Sequence, residues 1–414
     1  MNIEFQRVMD RFLGAPICAL LSLIDHLRGT RPVTAAPRRI LVILLSEMGS
    51  LVLAAPMFAR LKKRYPGASV HVLVFTRNRD LFDVVELTPR QNVLSLDDSS
   101  LTGFALDALR IVRTLRSLEF DTVIDCELFS RVSSILSYLS GARIRVGFHR
   151  HTQEGLYRGS FINRAVMYNP YRHMSQQFLT MVDAIDSTTV PVVKHPSPPE
   201  QSGPPPVSLP EDEVRQVGSR LLADFPGIGT RSLVLVHPGG GALPIRAWPL
   251  EYYRELCAGL VNDGHAVGVI GLSQDKPLGQ GIAAHCRSPL CLDLTGYIKS
   301  VRQFVALCHR AALLVTNDGG PAQFAALAST PTLVFFGPET PVLYKPLAEN
   351  VHCFYLSLPC SPCLTAYNHR ATPCDGDNQC LKQISPERVL AKAREILALR
   401  PAARTAVGKI AMKG

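Results

Sequence analysis

The sequence predicts an α/β protein of two Rossmann-like domains, each a parallel sheet wrapped by helices, facing each other across a cleft. Three observations predict it. Strand-like apolar runs alternate with helical stretches in two separate series, a proline-rich stretch divides the series, and two strands of the second series run straight into glycine turns. A chain of 414 residues is long enough for two cores. The implied organisation is an N-terminal segment 1–38, a first domain 39–190, a linker 191–210, a second domain 211–400 and a basic tail 401–414.

The N-terminal segment carries thirteen apolar or small residues in a row, 12–24, with Arg7 and Arg11 before them and Arg28, Arg31, Arg38 and Arg39 after. A spanning helix needs about 20 apolar residues, so this run is too short to cross a bilayer. No small-residue cleavage site stands out before the first strand. Two readings stay open: an interfacial helix with its arginines on headgroup phosphates, or a helix packed on the body of the protein.

The first domain reads as strands at 40–45, 70–75, 92–96, 121–126 and 143–148, with helices over Leu51–Tyr65 and Phe104–Leu118. From Pro191 to Pro210 proline is too frequent for regular structure, which marks a linker. Alternation then resumes with strands at 233–237, 265–271, 313–317, 332–337 and 351–356, and helices over Pro249–Asp263 and Val301–Ala312. Ligands of such sheets sit at the carboxyl ends of the strands.

Two of those ends have the chemistry of a phosphate site. After the strand at 313–317 come Asp318, Gly319, Gly320 and Pro321, opening an Ala-rich helix; after the strand at 233–237 come Gly239, Gly240 and Gly241, with Arg246 five residues on. Strand, glycine turn and helix start aim backbone N–H groups and a positive helix end at one point, which suits a diphosphate. The balance of 44 Lys+Arg against 34 Asp+Glu favours anionic partners, and aromatic content of 7% without basic and aromatic residues interleaved disfavours nucleic acid. No G-x-G-x-x-G follows a strand with an acid about 20 residues on, which disfavours a dinucleotide oxidoreductase.

Eleven cysteines without a cleavable signal point to a reducing compartment. Seven lie among apolar neighbours. The last four, Cys360, Cys363, Cys374 and Cys380, have the density of a metal knuckle or a stapled loop, with His369 as a substitute ligand; reduced structural thiols are the reading kept, without metal.

The first strand and turn (40–70), HPGGGALPIRAWP, LDLTGYIKS, TNDGGPAQFAALA, FGPETP and CSPC, in this order and spacing from about Arg39 to Leu397, resemble glycosyltransferase family 9, the heptosyltransferases of lipopolysaccharide core assembly. The resemblance implies a GT-B fold and inverting, metal-independent transfer without a cofactor. It also implies a nucleotide-sugar donor, ADP-heptose, in the second domain and an anionic glycolipid or glycan acceptor on the first. The enzyme is then cytoplasmic, peripheral on the inner face of the cytoplasmic membrane. A nucleotide-sugar-binding protein without turnover is the alternative, as is a relative using another nucleotide sugar.

Carried over by position, Arg246 neutralises the donor diphosphate, Gly239, Gly240 and Gly241 form the turn beside it, and Asp318, Gly319 and Gly320 form the donor loop. Gln323 stands where many members have His, and Tyr297 where the family lines the adenine pocket. The family's general base is an Asp in S-x-x-G-D, but this chain reads Ser46-Glu47-Met48-Gly49-Ser50. Serine is no base near neutral pH, so Glu47, or else Glu127 after the fourth strand, is expected to act instead. Ser46, Ser50, Arg145, His149 and Arg150 are the expected acceptor contacts, the last three in a basic stretch that also holds Arg143, His151 and Arg158. In the bland reading, Asp125 and Glu127 only pair with Arg131 or cap a helix. Trp248 is expected to pack and pin Arg246 rather than touch ligand.

Overall fold

The computed structural model describes residues 8–29, 36–45, 47–128, 130–148, 157–187, 189, 207, 209–241, 243–366, 372, 374 and 377–399. The chain divides into two compact units, 1–205 with 365–371, and 206–364 with 372–414. The division falls inside the expected linker, most of which lies outside the described residues, as does the basic tail.

Each unit holds a six-stranded, all-parallel sheet. In the first the strands are β1 (Arg39–Ile43), β2 (Ser69–Phe75), β3 (Val93–Leu96), β4 (Thr122–Asp125), β5 (Ile144–Phe148) and β6 (Arg164–Val166). Their order is β3-β2-β1-β4-β5-β6. Ile40, Leu41, Val42 and Ile43 are fully buried, as a central parallel strand covered on both faces requires. The helix expected over 51–65 is two helices, Met48–Leu53 and Ala55–Arg64, because Pro56 has no N–H to continue the first and instead starts the second. The next helix begins at Leu101, earlier than its apolar pattern suggests, because the Ser100 hydroxyl accepts from the Gly103 N–H at 3.0 Å and caps it.

In the second unit the strands are β7 (Leu233–His237), β8 (Ala266–Gly271), β9 (Cys291–Thr295), β10 (Leu313–Asn317), β11 (Thr332–Phe336) and β12 (Val351–Tyr355), ordered β12-β11-β10-β7-β8-β9. The short β6 and β9 have no counterpart among the strands expected from the sequence. Trp248, 1% exposed, stacks on Phe335 at 4.5 Å and donates its indole N–H to the Ile384 carbonyl at 2.9 Å. It is a core residue, as expected.

Strand order reverses direction between β1 and β4 in one unit and between β7 and β10 in the other. At such switch points the connections leave in opposite directions and open a crevice at the strand ends.

The N-terminal segment belongs to the first unit. A continuous helix over 8–28, with a π turn at Asp10–Gly14, packs on the helix Arg131–Leu139. Cys18 is fully buried in a cluster with Tyr138, Phe161 and Ile162. Polar contacts fix the same face: Asp10 pairs with Arg131 at 2.9 Å, Asp25 with Arg145 at 2.9 Å, and the Ser22 hydroxyl accepts from Tyr157 at 2.8 Å. Among the described residues no helix is long and apolar enough to cross a membrane.

Candidate active site

The second unit places the glycine turn, Arg246 and Asp318 together at its switch point, whereas Tyr297 lies beyond β9 against Asp224 and Arg220. β7 ends in His237 and turns through Pro238 and the three glycines; β10, its hydrogen-bonded neighbour, ends in Asn317 and passes into Asp318. Gly240 has to be glycine, since a Cβ there would lie 2.9 Å from both the Leu243 carbonyl oxygen and the Pro244 Cα. Gly241 turns the chain with a φ of 60°. The helix Gly320–Leu327 begins directly after Asp318 and Gly319, with its N-terminus at the same sheet edge.

Arg246, on a short 3-10 turn, reaches between two acids. Its guanidinium lies 3.6 Å from Asp318 and 3.7 Å from Glu339, which follows β11. The Nε–H is buried and has no hydrogen-bond partner among the described residues. A guanidinium carried on the segment that leaves the glycine turn is a suitable partner for an anionic oxygen at this sheet end.

One side chain holds this arrangement together. Asn317, 2% exposed, accepts from the Trp248 N–H and the Tyr253 hydroxyl, both at 2.9 Å, and donates to the carbonyls of Pro238 (3.0 Å) and Gly239 (2.9 Å). Its partners are donors at one end and acceptors at the other, so the amide orientation is forced. It therefore locks the glycine turn to the segment that carries Arg246. The sequence reading gave no role to Asn317 or Glu339. The available signal was a polar residue closing an apolar strand in one case, and an acid just past a strand end in the other.

His237 faces Thr316 at 3.3 Å, and burial draws its pKa down to about 4 against the pull of Asp275, so its imidazole is neutral at physiological pH. Gln323, 4% exposed, spends its amide donor on the Tyr344 carbonyl at 2.8 Å and keeps a buried acceptor oxygen without a hydrogen bond among the described residues. Tyr297 is engaged inside the unit as well. Its hydroxyl donates to Asp224 at 2.7 Å, Arg220 covers its ring at 4.4 Å, and burial followed by that hydrogen bond raises its pKa to about 12.

In the first unit, the ends of β1 and β4 carry the two candidate bases, and their surroundings differ. Glu127 is 7% exposed and accepts from the Leu45 N–H at 2.6 Å, tying the two strand ends together. Glu47 is half-buried, and the Ser50 hydroxyl donates to it at 3.1 Å. Ser50 thus orients an acid rather than replacing one. Asp125 pairs with Arg158, not Arg131; burial raises the Asp125 pKa while Arg158 opposes the rise.

Arg145 requires a correction. Expected to face the acceptor, it donates to Asp25, to the Phe161 carbonyl and to the Ala142 carbonyl, so its guanidinium is spent fastening the N-terminal helix and the chain before β6. Arg158, 1% exposed, is likewise internal. Ser46, His149, Arg150, His151 and His369 lie outside the described residues. Cys360 is exposed, Cys363 and Cys374 are half-buried and Cys380 is buried, all as free thiols. Among the described residues no three His, Cys, Asp or Glu side chains are grouped to hold a metal ion.

Comparison with known proteins agrees with the geometry. The family model described as glycosyltransferase family 9 (heptosyltransferase) matches residues 108–372. Lipopolysaccharide heptosyltransferase 2 of Salmonella typhimurium is 25% identical over 365 residues, 87% of this chain and 98% of that protein. The structure of Escherichia coli ADP-heptose lps heptosyltransferase II superposes with a TM-score of 0.65 at 21% identity, over 87% of this chain and 99% of that one. Escherichia coli heptosyltransferase WaaC, solved with ADP-2-deoxy-2-fluoro heptose, gives 0.57 at 15% identity, over 86% and 99%. At these identities the solved structures establish the shared fold.

Proposed function

The chain belongs to glycosyltransferase family 9, and from that premise we propose that it is an inverting transferase moving heptose from ADP-heptose to a lipid-linked saccharide of the cell envelope. Its place of work is the cytoplasmic face of the inner membrane, where such an acceptor is presented. The observation that carries the reading is Arg246 beside the glycine turn and the N-terminus of Gly320–Leu327, a site built for a departing diphosphate.

In the reaction, Glu47 takes the proton of an acceptor hydroxyl. The oxygen forms a bond to the anomeric carbon on the face opposite the diphosphate. The bond from that carbon to the diphosphate oxygen breaks, and ADP leaves with the electron pair. Arg246 and the turn amides meet the charge that develops on it, which is the service a divalent metal gives in other transferases. Asp318 and Glu339 aim the guanidinium. The ADP-sugar ligand of the related solved enzyme supports the choice of nucleotide.

The test is calorimetric titration of ADP, UDP, GDP, CMP, NAD and ADP-heptose into the full chain with EDTA present. Selective binding of ADP and ADP-heptose is expected. Preference for UDP or GDP overturns the donor, binding that requires a divalent metal overturns metal independence, and no nucleotide binding at all favours a protein without turnover.

A further inference from the structure

We infer that the outward face of the N-terminal helix is a docking surface for an anionic lipid bilayer. The inference rests on the lipid-linked acceptor proposed above for the reason a membrane would be sought, and on the helix itself for the device.

The helix over 8–28 has two unlike faces. Inward, Gly14, Cys18 and Ser22 are buried, and Asp10 and Asp25 are held in ion pairs by Arg131 and Arg145. Outward, Phe12, Leu13, Ile17, Leu20, Leu23 and Leu27 are between 42% and 76% exposed. From Leu13 onward they recur at steps of three and four, which keeps them on one side of the helix. Isolated exposed leucines are ordinary, but a continuous row along about four turns is not.

The anchoring explains why the row stays outside. The arginines and Ser22 grip the polar face, so the helix cannot roll to bury its leucines without breaking two ion pairs. The same anchoring takes up the acids of the helix. Asp10 and Asp25 are the acids of the described helix and both are turned in, leaving Arg11 at one end and Arg28 at the other exposed. Apolar side chains flanked by cations, with the acids withdrawn, match acyl chains below anionic headgroups.

A second helix repeats the pattern. Leu101–Ser117 touches Arg131–Leu139, as the N-terminal helix does, and exposes Leu106 (70%) and Leu109 (57%) next to Arg110 and Arg113. Asp107, the acid on this helix, is taken up by Arg110 and by the Asp97 N–H at 2.9 Å.

Sedimentation of the full chain with vesicles tests the inference, using phosphatidylcholine alone and phosphatidylcholine mixed with phosphatidylglycerol. The expected result is salt-sensitive binding to the mixed vesicles, weakened about tenfold or more when Phe12→Ser, Leu20→Ser and Leu23→Ser are combined. These side chains are exposed, so the unfolding temperature should hold. A second variant, Arg11→Glu with Arg28→Glu, leaves the leucines in place and should lose the preference for the anionic lipid. Failure of the full chain to bind mixed vesicles overturns the inference, as does undiminished binding by the triple variant. A dimer seen by light scattering without lipid, and lost in the triple variant, overturns it in favour of a second copy as the occupant. ADP titration of the same samples separates the two readings. ADP binding without vesicle binding sinks the docking surface alone, and vesicle binding without ADP binding sinks the donor assignment alone.

Discussion

Replacing Asn317 with leucine, similar in size and without hydrogen-bonding groups, should unlock the donor turn. The Trp248 N–H and the carbonyls of Pro238 and Gly239 lose their partner, whereas the Tyr253 hydroxyl keeps the His237 carbonyl at 3.2 Å. Three buried backbone groups left unpaired cost roughly 1–3 kcal/mol each, so about 3 kcal/mol is the low end of the expected loss. That is a large share of the ~5–15 kcal/mol that holds a domain folded. The readout is built in: Trp248 is the chain's single tryptophan and is stacked on Phe335, so its fluorescence in a urea titration reports unfolding of this unit. The freed turn should also lower ADP affinity about tenfold, equivalent to about 1.4 kcal/mol. Asn317→Asp is the companion variant. It retains both acceptor bonds and loses both donor bonds, and it adds negative charge beside the diphosphate, so it should bind ADP worse than its stability alone suggests. A stability change under about 1 kcal/mol in Asn317→Leu, with ADP affinity intact, would refute the idea that this amide holds the turn.

Arg246→Ala should reduce transfer by about 10²–10³ or more and also lower the urea midpoint, because the buried Asp318 and Glu339 lose the cation between them; a variant that does not fold at all would make it a structural residue. Glu47→Gln should lower turnover with little effect on ADP affinity or stability, and normal turnover removes it as the base. Glu127→Ala should act the other way, costing about 1–3 kcal/mol of stability through the unpaired Leu45 N–H, measured by thermal unfolding. His237 sets a pH signature. With a pKa near 4 folded against an ordinary 6.5, the unfolded chain takes up the proton first as pH falls, so the stabilising contribution is whole above about pH 6.5 and is lost progressively down to about pH 4, by about 3 kcal/mol at most. His237→Gln should flatten that loss in urea titrations at about pH 7 and about pH 4.5, and an unchanged pH slope would show that the histidine is protonated in the fold.

The layers of this protein were legible because parallel strands covered on both faces are written as uninterrupted apolar runs, as in 40–45 and 313–317. The glycine turn after β7 was legible for a related reason: consecutive glycines after a strand have few uses other than a tight turn. Arg145 was illegible because nothing local distinguishes an arginine that meets a glycan from one that fastens a distant helix; its partner Asp25 lies 120 residues earlier. Asn317 was in plain view but its role was not, since all four of its partners are more than 60 residues away. The N-terminal run allowed two readings, packed or interfacial; the structure shows it packed, and the interfacial one is the docking surface proposed above. Asp10, Ser22 and Asp25 face the body together with Cys18 and Leu21, and a second apolar row faces out.

The two acids around Arg246 bear on how the proposed donor site would work. A guanidinium paired with one carboxylate at hydrogen-bonding distance would be neutralised, and a diphosphate would have to compete for it. Here each acid stands just beyond that distance, at 3.6 and 3.7 Å, on opposite sides of a side chain that is itself mostly buried. At such separations the attraction still amounts to about 4–5 kcal/mol per pair at an effective dielectric constant near 20, enough to fix the direction of the arginine. The donor N–H groups, however, are not consumed. The charge is thus aimed before any ligand arrives, which is the condition for stabilising a leaving group without reorganisation during the reaction. It follows that Glu339→Gln should weaken transfer through misplacement of Arg246 rather than through lost contact with the sugar. The defect should appear in turnover for every donor tested, and a defect confined to one sugar would instead place Glu339 in contact with it.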